Sequence, residues 1–169
     1  MAAIVEVDEE NGKSSSPALT HNVSNSNMGS ADASNLNPMG NPIAPGENSF
    51  EKWQLIHVTD MGTSSAINNI RVWRSGNLGT NAIHVTNVSV SSYRGEAKFE
   101  TPTNRASIFA IFSMPTTIPG SANLGIGGSL TASLTKVGYS DFLIHQIQTT
   151  RGALAGSTTV MNYKYDETV

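Results

Sequence analysis

The sequence predicts an all-β protein, an antiparallel two-sheet β-sandwich of roughly seven or eight strands preceded by an extended N-terminal arm. Three observations carry this reading. Charged residues make up only 14% of the chain, well below the usual quarter, and Ser, Thr, Asn and Gly take their place. Such a composition suits short strands joined by many turns rather than packed helices. From Phe50 onward, apolar runs alternate with Gly, Pro and Asn signals at short spacing. Before Phe50, large apolar side chains are few, and Pro17, Pro38, Pro42 and Pro45 interrupt any ladder.

Residues 1–46 begin with a short Ile4/Val5/Val7 cluster and continue through "NGKSSSP", "SNSN" and "NPMGNPIAPG". So little apolar surface does not offset a backbone ordering entropy of roughly 1–2 kcal/mol per residue. This segment therefore reads as an arm that gains order from partner chains. Its small anchors would be Ile4, Val5, Val7, Leu19, Leu36, Met39 and Ile43.

Residues 47–169 read as the sandwich. "FEKWQLIHVT" is a first strand ending at Asp60-Met61-Gly62. "INNIRVWRS" follows, with Ile70 and Val72 on one face and Trp73 on the other, where it is a candidate partner contact flanked by Arg71 and Arg74. Next come "AIHVTNVSVSS", a short "GEAKFET" and the most apolar run, "ASIFAIFS". A Gly-rich stretch leads into "LTASLTKV", and "DFLIHQIQTT" and "STTVMNYKYDE" flank "RGALAGS" as a final hairpin.

The net charge of −3 is unevenly placed: five acids and one base give −4 in residues 1–46, and the rest carries +1. Neither part has the Lys/Arg patch that phosphate-backbone binding requires, so no nucleic-acid partner is expected. With no cysteine, disulfides and thiolate metal sites are excluded. "MAAIVEVDEENGK" lacks a basic n-region and a long apolar run, and no stretch approaches the roughly 18 apolar residues of a membrane span. Synthesis in the cytoplasm, without a signal peptide or membrane partner, is the expectation.

Catalytic chemistry finds little support. His21, His57, His84 and His145 occur in no H-x-H, H-x₃-H or H-E-x-x-H arrangement, although folding could still bring His57, His84 and His145 together. Glu96 and Glu100 sit on one strand face roughly 13 Å apart, too far for a retaining glycosidase pair. "GIGG" at 125–128 lacks the Gly-Lys-Ser/Thr ending of a phosphate loop, and no G-x-S-x-G elbow occurs. No enzyme, cofactor or metal is predicted. Trp53, Trp73, Tyr93, Tyr163 and Tyr165 are candidate sugar platforms without a spacing that defines a site.

"GYSDFLIHQIQTT", a Gly-bounded turn and "TTVMNYKYDE" resemble the F–G hairpin of immunoglobulin-like sandwiches, with Tyr139 near a tyrosine-corner position and Trp73 of "IRVWRSG" like the strand-C tryptophan. The cysteine pair and the Asp-x-Gly-x-Tyr-x-Cys signature are absent. Taken whole, a polar Pro/Asn arm followed by a cysteine-free sandwich resembles small virion structural proteins of tailed bacteriophages. Capsid decoration (cement) proteins come first, with accessory tail, collar or fibre proteins next. The resemblance implies a non-enzymatic virion protein. Its partners would be the major capsid protein or other virion subunits and further copies of itself. A competing expectation is an adhesion module that binds host surface glycan through loops 119–129 and 151–157.

Overall fold

The computed structural model describes residues 1–90, 93, 95, 113–154 and 156–169, with the backbone of 109–111. Among these residues there is no helix, and hence none long and apolar enough to cross a membrane. The described residues form nine strands: β1 (Ile4–Lys13), β2 (Ser16–Thr20), β3 (Lys52–Asp60), β4 (Ala66–Ser75), β5 (Ala82–Ser89), β6 (Phe109–Ile111), β7 (Gly138–Tyr139), β8 (Phe142–Thr149) and β9 (Val160–Thr168). Seven form one sheet in the order β2-β1-β3-β8-β5-β6, with β7 pairing the far end of β3, and β4 and β9 form a second. Every pairing is antiparallel.

Alternation builds the sandwich core. Ile56 of β3, Val88 of β5 and Leu143 of β8 point from the large sheet toward Ile70 and Val72 of β4, and Met161, Tyr163 and Tyr165 of β9 pack against them. Trp73 takes the opposite face of β4 and is half-buried. The opposite face of the large sheet carries its own cluster, in which Trp53 meets Tyr93 and Phe142 edge-on beside Ile144.

The chain departs from the sequence reading in three places. First, residues 1–46 are not an arm awaiting partner chains. β1 lies inside the large sheet, paired with β3 from Ile4↔Asp60 to Glu10↔Trp53, and a hairpin carries the chain back along β2. Pro17 is tolerated there because β2 is an edge strand. Val5 and Val7 pack on the chain's own core, and Leu36 is buried. Apart from Leu36, the polar stretch after β2 is held mainly by hydrogen bonds: Val23 N–H donates to Val7, Phe50 N–H to Gly29, and Lys52 Nζ to Ala33 O. Gly29 is required at its position, since a Cβ would lie 2.3 Å from Leu36 Cδ2 and 2.5 Å from Asn41 O.

Second, β8 and β9 do not form the predicted hairpin. β8 pairs with β3 and β5 in the large sheet, whereas β9 pairs with β4 in the other, so the two strands belong to different sheets. Third, residues 130–137 form turns around a single bridge, Leu134 to Ile67, instead of a strand. Most of "GEAKFET", including Glu96 and Glu100, and most of "ASIFAIFS" lie outside the described residues.

Candidate functional site

The outward face of β1 carries Glu6, Asp8 and Glu10, because alternate residues of a strand share a face. Pairing with β3 sets Glu6 opposite His57, and the turn after β2 brings His21 over the same face. Asp8 Oδ2 lies 2.7 Å from His21 Nδ1 and 2.9 Å from His57 Nδ1. Glu6 Oε1 lies 3.1 Å from His57 Nδ1 and 3.7 Å from His21 Nδ1. Asp8 is fully buried, and its other oxygen accepts the Asn22 backbone N–H at 3.0 Å, which fixes the carboxylate. The Tyr139 ring stacks on His57 with centroids 4.1 Å apart.

Beyond Tyr139 the same face opens into a groove of about 300 Å³, walled by Leu19, Val90, Tyr139 and Phe142 and holding the carboxyl groups of Glu10 and Asp141. An interruption of the ladder makes this groove. Between β7 and β8, Ser140 accepts the Ile56 N–H through its hydroxyl, and Asp141 N–H turns away to Gly125 O. The Asp141 carboxyl accepts the Gly128 N–H at 3.2 Å, so a donor of the "GIGG" turn serves an internal side chain. Burial raises the pKa of both Glu10 and Asp141. Burial, reinforced by Asp8, Glu6 and Glu10, likewise raises that of Tyr139.

A second polar constellation lies in the interior. His145 Nε2 is 3.0 Å from Gln54 Oε1, which also accepts the Tyr163 hydroxyl at 2.9 Å, and His145 Nδ1 is 2.9 Å from His84 Nε2. An amide oxygen only accepts, so His145 donates from Nε2 and accepts at Nδ1, and His84 donates from its own Nε2. His84 Nδ1 is left buried without a partner. Burial, then the nearby Arg74, pushes the His84 pKa down to about 3, and burial with His84 and Lys52 holds His145 well below 6.5. Both rings are therefore neutral at pH 7. Beside them Lys52 Nζ pairs with Glu9 at 2.6 Å inside the sandwich.

Folding thus joins His84 to His145 but sends His57 to the opposite face, where it meets His21, Glu6 and Asp8. The Glu-x-Asp-x-Glu alternation at residues 6–10 was the available signal for that cluster. Nothing local announced His21, because a hairpin brings it back. The predicted anchors do not form one surface. Ile4 and Met39 are exposed, Ile43 and Trp73 are half-buried, and of the set only Leu19 lines the groove. Trp53 and Tyr93 are buried and offer no sugar platform, and Tyr163 turns its hydroxyl inward to Gln54. Arg71 is engaged by Asp166 at 2.6 Å. The chain matches no protein-family model, no curated protein and no solved structure.

Proposed function

We propose that this chain is a non-enzymatic structural protein of a virion that decorates or cements a phage capsid, attaching through the outer face of its large sheet. The observation that carries this reading is the groove walled by Leu19, Val90, Tyr139 and Phe142 with Glu10 and Asp141 within it. It suits an apolar side chain and a basic group presented together by a neighbouring virion subunit. Residues 1–46 then contribute as part of the sandwich instead of as a tether, because β1 and β2 build the wall on which Glu10 and Leu19 stand.

The test is immunogold labelling of purified source particles with an antibody to the folded chain, scoring head, neck and tail separately. Regular labelling of the head is the expected result. Label confined to the neck, tail or fibres transfers the chain to an accessory role, and unlabelled particles overturn the proposal. Leu19→Asp and Val90→Asp, both at exposed positions, should lower the copy number per particle at least tenfold while the fold is kept.

A glycan-binding role is favoured by one feature, the exposed Tyr139 ring beside the two carboxyl groups. Glycan-array binding lost in Tyr139→Ala would support it over attachment to a virion subunit.

A further inference from the structure

We infer that Glu6, Asp8, His21 and His57 form a binding site for one divalent transition-metal ion of the zinc type, which clamps the β1–β2 hairpin to β3. One ligand atom from each of the four residues lies within 4.8 Å of the other three. A tetrahedral zinc ion with ligands at about 2.0–2.1 Å needs ligand atoms about 3.3 Å apart. The four acid–imidazole separations run from 2.7 to 3.7 Å and bracket that spacing. Small side-chain adjustments therefore suffice to seat the ion.

The chemistry of the set is selective. Two imidazole nitrogens with two carboxylate oxygens suit zinc and its neighbours, whereas calcium and magnesium take oxygen ligands. Two neutral imidazoles and two carboxylates present a charge of about −2 to a +2 ion. In the metal-free chain one oxygen, Asp8 Oδ2, faces both Nδ1 atoms, and each of those must carry a hydrogen to make that contact favourable. An ion removes this crowding.

Outer contacts of the kind that orient metal ligands are in place. Asn22 N–H holds the far oxygen of Asp8, and the Tyr139 ring fixes the plane of His57. Asp8 is buried and His57 largely so, while the His21 side chain is 56% exposed, which leaves an entry path. In a chain without cysteine, such an ion would take the place of a disulfide in tying three segments together.

The experiment uses the full-length, tag-free protein, stripped with chelator and titrated with Zn²⁺ by calorimetry, with a thermal melt recorded in parallel. One equivalent should bind, and at a hundredfold excess over Kd the melting midpoint should rise by roughly 5–10 °C. The same concentration of Ca²⁺ should leave it unmoved. His21→Ala alters an exposed residue outside the strands and should keep the far-UV spectrum while weakening Zn²⁺ binding at least tenfold. Imidazole NMR signals of His21 and His57, and not of His84 and His145, should shift. Sub-stoichiometric binding, an unchanged affinity in His21→Ala, or a Ca²⁺ shift equal to that of Zn²⁺ each overturns the inference.

Discussion

At the scale of single residues, the interior of this sandwich is unusually polar, and its histidines make stability depend on pH. An unfolded histidine titrates near pH 6.5, while His84 in the fold does so at about 3 and His145 well below 6.5. Between pH 6.5 and about 3 the unfolded chain therefore binds protons that the native state refuses, and stability falls as pH falls. His84 adds a slope of about 1.4 kcal/mol per pH unit in that window, and His145, held low by burial, adds to the decline in the same direction. Asp166 and Glu167, whose pKa values are lowered first by hydrogen bonds from Asn69 and Ser64, lose their contribution only at the acid end, and both are exposed. Urea midpoints measured from pH 7 to 4.5 should decline steadily. His84→Gln should flatten the decline, and an unchanged slope in that variant would show that His84 is not the group responsible. The neighbouring Lys52–Glu9 pair obeys a different rule. Lys52→Met strands a buried carboxylate that Gln54 and Asn11 also contact, and should cost about 3–5 kcal/mol by urea denaturation. Replacing Glu9 by Leu as well should restore much of that loss, because no charge is then left unpaired.

At the scale of elements, what was legible followed from apolar alternation. β3, β4, β5, β8 and β9 were each visible because Val, Ile, Leu, Trp or Tyr recur at strand period. β1 escaped because one of its faces is Glu6, Asp8 and Glu10 and part of the other is Glu9 and Asn11. A strand whose outward pattern is acidic and whose inward partners are Lys52 and Gln54 looks like a solvated segment until its neighbours are known. The histidine–carboxylate cluster was illegible for the same reason, since it depends on a pairing between residues 51 positions apart. The second sheet shows a related device that no pattern reveals. The outer edge of β4 is closed by loop residues: Asn123 accepts the Val72 N–H at 2.7 Å and donates to Val72 O at 2.8 Å, as a paired strand would. Asn123→Ala leaves both backbone groups of Val72 without these partners and should cost roughly 1–3 kcal/mol. Thermal denaturation measures it, and a change within 0.5 kcal/mol would mean that water satisfies that edge.

At the scale of the whole molecule, the first strand is built into the same sheet as β3, β8 and β5. The polar stretch that reads as a leader lies over the end of the sandwich interior. Ser26 accepts from Gln54, Ala33 O accepts from Lys52, and Asp32 accepts from Asn11, the Gly12 N–H and the Tyr93 hydroxyl. Residues 46–49 then run beside β8, where Ser49 N–H donates to Ile147 O and Thr149 N–H to Glu47 O. Removing residues 1–46 would expose the edge of β3, leave Lys52 without Glu9, and take Val5 and Val7 from the core. A freely dispensable arm would leave a folded sandwich with an unchanged melting midpoint. The contacts described here require the opposite: the 47–169 fragment should lose its cooperative melt and bind dyes that report exposed apolar surface. Adding residues 1–46 back as a separate peptide should restore the transition in proportion to peptide concentration, since a strand supplied from outside stabilises the fold by mass action. A fragment that melts cooperatively near the full-length midpoint would return the N-terminal segment to the role of a tether, and with it the search for the neighbour that orders it.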